Sequence, residues 1–306
     1  MILNNKFIVT IFYLLPFSLI TGSFLPDLFV TLIFLFFIFI SLKNNNFFIK
    51  NKFAVLFIFF YLVILYSVII VSPAPILNQG TSIFYLRFGL FSLALIYFFS
   101  DKEKFFNFFR IFFFIFIILF IDSLYQFYFE KNLIGLKLSH PHRVSSFFGS
   151  EWIMGSFISK IFPINLIFIS LLNVNKKLKI YLYTMVVVFS FILIFLSGER
   201  TSLGMFLFQL IFIFFFIKYN FYKKLILILI CLSIIVTTIF SFKIQDITSH
   251  NRVESKIYNT LKRFEHGFKN FIIFENENIL IIPSHKGHYQ TAINIFEQNK
   301  IFGGGI

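Results

Sequence analysis

Nine apolar runs, each 15 to 21 residues long, occupy most of this 306-residue sequence. They fall at about residues 7–21, 27–42, 53–72, 83–99, 111–128, 152–172, 180–197, 201–217 and 225–242. The hydrocarbon core of a bilayer is about 30 Å thick and takes about 20 apolar residues to cross as a helix. A soluble chain of this length has no interior for so much apolar surface, because the buried fraction rises only slowly with size. Only 13% of the residues are charged, against about a quarter in soluble domains. The chain is therefore expected to be an all-α polytopic membrane protein. About nine transmembrane helices form a bundle over residues 1–242, and a large, partly helical outer loop occupies 243–306. AT-rich codon usage accounts for the 54 Phe, so no single Phe is assigned a function.

The stretch from Ile180 to Ile217 adds a sharper constraint. As one helix its 38 residues would reach roughly 57 Å, so it must fold back. Its only polar break is Ser197-Gly198-Glu199-Arg200-Thr201-Ser202, which predicts a tight helical hairpin with a charged tip. The first apolar run has a basic start at Lys6 but no small-residue cleavage site, so it reads as a retained helix.

Lys and Arg in the connections set the orientation. With the N-terminus in the cytoplasm, the inner connections carry Lys6, Lys43, Lys50, Lys52, Lys102, Lys104, Arg110, Lys176, Lys177, Lys179, Lys218, Lys223 and Lys224. These are 13 of the 27 basic residues. The short outer loops at 22–26 and 73–82 carry none. A net charge of +14 would suggest nucleic acid in a soluble protein. Here topology explains half of it, and no nucleic-acid partner is expected. The single Cys231 excludes an intramolecular disulfide and a cysteine-based metal site.

Topology leaves three outer segments with unexplained charge: the loop 129–151, the tip 197–202 and the tail from Phe242. The loop contains His140, His142, Arg143 and Glu151. Two His flanking Pro141 fall short of a zinc ligand set, whereas the Arg143 guanidinium offers a planar fork suited to phosphate oxygens. The plain alternative is a solvated loop with incidental charge. Glu199 and Arg200 sit on a turn too short to escape the headgroup layer, where ionisable groups are functional by default; the alternative is an interfacial anchor. In the tail, Val253, Ile257, Leu261, Phe264, Phe268 and Phe271 recur at spacings of three and four. That pattern predicts a basic amphipathic helix lying in the interface. His285 and His288 follow, before a second helical stretch at 289–298, and either could serve as a general base near neutral pH. Within the spans, Asp122, Tyr125 and Gln126 share one helix face, and Asp122 with Arg87 is a candidate buried pair. Pro163 is expected to kink the sixth span. No P-loop, dinucleotide fingerprint, HExxH or GxSxG occurs in the sequence, which argues against nucleotide-driven transport and the usual hydrolases. With six His and one Cys, no metal or other cofactor is expected.

The three outer clusters read HPHRVSSFFGSEWIMGSF, LSGERTSLGMF and SHKGHYQTAINIFEQNKIFGGGI, in that order. Over residues 140 to 306 this resembles the O-antigen ligase and O-antigen polymerase superfamily of bacterial inner-membrane proteins. In that family an Arg-bearing loop precedes a span, a Ser-Gly-Xaa-Arg-Thr turn follows, and a large periplasmic loop ends in a PIFGVG-like segment. The first half of the chain matches only in hydropathy and helix count. The resemblance implies a GT-C-like fold in the bacterial inner membrane with its functional loops in the periplasm. It also implies metal-independent, inverting transfer of a glycan from an undecaprenyl-pyrophosphate carrier to a saccharide hydroxyl. The acceptor is the lipid A core for a ligase, or another repeat unit for a polymerase. Arg143, Arg200, Glu199 and His285 are then the implied catalytic residues, and His140, His142, Glu151 and His288 the implied substrate contacts. Two departures stand out. The sequence stops at Gly303-Gly304-Gly305-Ile306, where family members continue into further helices and a later His-containing stretch. The turn also has three Gly in place of Gly-Val-Gly. Weighed against this are a lipid-oligosaccharide flippase or other transporter, and an inactive truncated remnant.

Overall fold

The computed structural model describes residues 2–43, 52–71, 84–139, 143–216, 273–275, 278–280, 293–294 and 296–297. These form eight α-helices: α1 Ile2–Ser18, α2 Phe24–Lys43, α3 Lys52–Tyr66, α4 Leu86–Phe98, α5 Lys102–Phe129, α6 Met154–Leu171, α7 Lys176–Ser197 and α8 Arg200–Phe216. A π-helical turn, Ser67–Val71, extends α3, and a 3-10 turn, Ser146–Phe148, precedes α6. A small antiparallel ribbon pairs β1, Ile273–Glu275, with β2, Asn278–Leu280. The chain divides into two compact units. Met1–Phe105 with Asn270–Ile306 forms one, and Phe106–Lys269 the other.

Among the described residues, five helices are long and apolar enough to cross a membrane: Phe24–Leu42, Lys52–Ile69, Lys102–Phe129, Met154–Leu171 and Lys176–Ser197. Phe7–Ser18, Leu86–Phe98 and Arg200–Ile213 are apolar but shorter. Eight of the nine expected runs are thus helical. The ninth, the expected amphipathic helix after Arg252 and the boundary at 242 lie outside the described residues. The outward-facing side chains identify the surroundings. Phe53, Leu56, Phe59 and Phe60 of α3 are all more than half exposed, and burying each would gain about 1.5–3 kcal/mol over leaving it in water. A lipid bilayer removes that penalty, so the apolar helices associate with one.

In the first unit, the fully buried Phe12 ring meets Phe91, Phe98 and Phe99 at centroid distances of 5.7, 5.8 and 5.1 Å. Gly89 lets Phe57 lie against α4, since a Cβ there would sit 1.8 Å from the Phe57 ring. Arg87 does not pair with Asp122. Its Nη2 donates to both carboxylate oxygens of Asp27 at 2.9 Å. Both residues lie in the first turns of their helices, so the N-terminal ends of α2 and α4 adjoin, as an up-and-down alternation requires.

In the second unit, α6 and α7 form an antiparallel pair. The Asn175 side chain caps α7 by accepting from the Leu178 N–H at 2.8 Å. Lys179 Nζ donates to the Ser170 carbonyl at 2.9 Å, satisfying a C-terminal acceptor that α6 leaves open. Pro163, inside α6, has no N–H to offer the Ser159 carbonyl four residues earlier. Gln209 Nε2 of α8 donates to that carbonyl at 3.1 Å. A neighbouring helix thus satisfies the proline-freed acceptor, the arrangement that makes Pro tolerable in an apolar helix.

Candidate functional site

The loop that follows α5 is pinned by α5 itself. Asp122 and Gln126, one turn apart on the same face, are fully buried. Asp122 accepts from the Leu133 N–H at 2.8 Å and from the Ser146 hydroxyl. Gln126 Oε1 accepts from the N–H groups of Ser145 and Ser146 at 3.1 and 2.6 Å. Asn132 Nδ2 donates to the Ser146 carbonyl at 3.3 Å. Ser146 has φ +52°, a conformation costing a non-glycine residue about 1–3 kcal/mol. The surroundings hold it there through its N–H, its hydroxyl and its carbonyl together.

This fixed loop reaches the end of α7. The Val144 N–H donates to the Leu196 carbonyl at 3.0 Å, and Arg143 Nη2 donates to the Gly198 carbonyl at 3.4 Å. The Arg143 guanidinium also lies 4.8 Å over the ring of Trp152, a cation–π contact. The Trp152 indole N–H donates to Ser139 Oγ at 3.0 Å. Trp152 is the only Trp in the chain and lies between the 3-10 turn and α6.

The expected hairpin tip is present. α7 ends at Ser197, and Gly198 adopts the left-handed conformation, φ +67°, with its N–H on the Phe195 carbonyl. Glycine reverses the chain there without steric cost. Glu199 then closes the start of α6. Its Oε1 accepts from the Gly155 N–H at 2.7 Å, and its Oε2 from the Ser156 N–H at 3.0 Å and the Ser202 hydroxyl at 2.7 Å. Ile153, which precedes α6, provides no side-chain cap, so a carboxylate from the turn between α7 and α8 serves as one and complements the helix dipole. Gly155 is required for this approach: a Cβ there would lie 2.3 Å from Ser197 Oγ and 3.1 Å from Glu199 Oε1. Replacing Glu199 with Ala is expected to cost about 1–3 kcal/mol by orphaning these donors, and Glu199→Gln less, because it keeps an acceptor oxygen. Thermal unfolding in detergent, followed by Trp152 emission, checks this; identical midpoints for Ala and wild type would contradict it.

The structure therefore brings Arg143 and the Gly198–Glu199 tip together. Arg200 is the first residue of α8 and is exposed, as is Glu151. His140, His142, His285 and His288 lie outside the described residues. Among the described residues no three His, Cys, Asp or Glu side chains cluster closely enough to hold a metal ion. Sequence reasoning missed Trp152, Gly155, Asn132 and Ser146. For Trp152 a signal existed, a lone Trp at a loop–helix junction; for the others, none. Comparison of the chain with protein-family models, with curated proteins and with solved structures returned no match.

Proposed function

We propose that the chain is a membrane-embedded glycosyltransferase of the O-antigen ligase or polymerase type. In this reading it acts at the periplasmic face of the bacterial inner membrane, within a bundle of about nine spans whose N-terminus is cytoplasmic. The observation that carries the reading is the meeting of loop and tip. Val144 and Arg143 bind the end of α7, and Arg200 follows two residues after Gly198. Two guanidinium-bearing segments thus share one end of the second unit.

In the proposed reaction an acceptor hydroxyl attacks the anomeric carbon of the carrier-linked glycan. The bond to the pyrophosphate oxygen breaks, the lipid pyrophosphate leaves with the electron pair, and configuration inverts. Negative charge accumulates on the leaving group, so fixed cations placed there stabilise the transition state. Arg143, oriented by Trp152 and the Gly198 carbonyl, and Arg200 supply them. Glu199 has its oxygens engaged by three donors, which favours a positioning role. The acceptor proton then passes to His285, with His140, His142, Glu151 and His288 contacting substrate.

Deletion of the gene tests this reading. Bare lipid A core with polymer retained on the carrier indicates a ligase. A core bearing a single repeat indicates a polymerase. An unchanged surface glycan would overturn the proposal. One observation favours the transporter alternative. Asn165 and Ser190 are fully buried, with polar atoms lacking a hydrogen bond among the described residues, and a buried polar atom of this kind calls for a partner such as a water or a polar solute. Glycan movement across vesicles containing the protein, with no transfer, would support that reading instead.

A further inference from the structure

The turn at residues 131–137, besides bracing the Arg143 loop through Asn132, is closed on itself to an unusual degree. It doubles back along α5. The Leu133 N–H reaches Asp122, seven residues before the end of α5 at Phe129, about 10 Å down the axis at 1.5 Å per residue. Gln126 Nε2 reaches the Leu136 carbonyl at 3.5 Å. Every backbone N–H from 132 to 136 is taken by the protein. Asn132 N donates to the Leu136 carbonyl and Gly135 N to the Asn132 carbonyl, each at 2.9 Å. Leu133 N donates to Asp122 Oδ1 at 2.8 Å. Ile134 N and Leu136 N donate to Asn132 Oδ1 at 3.2 and 2.7 Å. A turn in water needs no such closure, because water serves each donor; in a low-dielectric layer each open N–H is costly.

The side chains agree with the backbone. Leu133, Ile134 and Leu136 are 55%, 70% and 41% exposed. Lys131 and Lys137, both exposed, pair across the base of the turn. Phe114, Ile121, Tyr128 and Phe129 of α5 are also more than half exposed. At 28 residues, α5 is about 42 Å long, more than the roughly 30 Å hydrocarbon core, so its C-terminal turns reach the headgroup layer.

We propose that residues 131–137 form a lipid-dipping turn. Leu133, Ile134 and Leu136 enter the acyl boundary, and Lys131 and Lys137 rest on lipid phosphates. The occupant is lipid because the exposed apolar tip, with every N–H already closed, follows directly on a membrane-crossing helix and cations flank it, a pattern in which long basic side chains snorkel to the headgroups. The turn holds the Arg143 loop at headgroup depth whatever reaction the protein performs, so this inference does not depend on the transferase reading.

Nitroxide labels at Ile134→Cys and, separately, Leu136→Cys, in a Cys231→Ser background, test it. The full chain is reconstituted in phosphatidylethanolamine–phosphatidylglycerol vesicles, and collision rates with oxygen and with a water-soluble nickel chelate are compared. Both labels are expected to favour oxygen several-fold over an aqueous reference label, and a label at Lys131→Cys to shift toward nickel. Nickel access at 134 and 136 equal to the aqueous reference would overturn the proposal. Shielding from both reagents would also overturn it, since that reports protein against the turn, such as a second copy. Wild-type Trp152 emission in a labelled variant shows that the loop is intact, and the two sites provide independent readings.

Discussion

Replacing Arg143 with Ala is expected to lower glycan transfer by about 10²–10³-fold, the usual cost of removing one preorganised group that stabilises developing charge. The protein is expected to stay in the membrane fraction. Arg143 donates to the Gly198 carbonyl at 3.4 Å and stacks on Trp152, while Asp122, Gln126 and Asn132 hold the loop backbone. Arg143→Lys keeps the charge but loses the planar fork and the stack, so it should recover only part of the activity. Arg200→Ala is expected to show a loss of similar size. Arg200 is exposed and makes no side-chain hydrogen bond or ion pair among the described residues, so its removal is expected to leave the fold intact. Gel analysis of surface glycan beside an immunoblot of membranes checks both variants. Normal product from both would sink the transferase reading.

The largest structural effect is expected at Asp122. Asp122→Leu leaves the Leu133 N–H and the Ser146 hydroxyl without their acceptor, at about 1–3 kcal/mol for each buried orphan, and removes one of the bonds holding Ser146 at positive φ. The loss is expected to reach roughly 2–6 kcal/mol, against total stabilities of about 5–15 kcal/mol for folded domains. Asp122→Asn retains an oxygen for Leu133 and gains an amide that can donate to Ser146, so most of the stability should return. Denaturation in detergent, read by Trp152 emission, separates the variants. Equal midpoints for Leu and wild type would show that the loop does not depend on Asp122.

The spans and the hairpin were legible because one physical rule governs each. Apolar length specifies a crossing, and the single polar break between Ile180 and Ile217 leaves one place for a turn. The spacing of Asp122 and Gln126 likewise placed both on one face. What that face holds was not legible. Arg87 looked like a partner for Asp122, yet it binds Asp27, and spacing cannot choose between two distant carboxylates. The contact between loop and tip left no sequence signal either, because it runs through backbone atoms, Val144 N–H to Leu196 carbonyl and Arg143 to the Gly198 carbonyl. Glu199 shows the same limit. Its charge was unexplained by topology, but it accepts from the bare N–H groups of Gly155 and Ser156, which no side-chain pattern announces.

In the proposed reaction the chain transfers a glycan from a lipid pyrophosphate using arginine rather than a metal. The direct measurement is transfer by the purified protein in vesicles, with undecaprenyl-pyrophosphate-linked glycan as donor, lipid A core or free repeat unit as acceptor, and chelator present. Glycosylated acceptor together with released undecaprenyl pyrophosphate, both lost in Arg143→Ala, is the result expected. Intact donor with either acceptor, or undiminished transfer by Arg143→Ala, would contradict it.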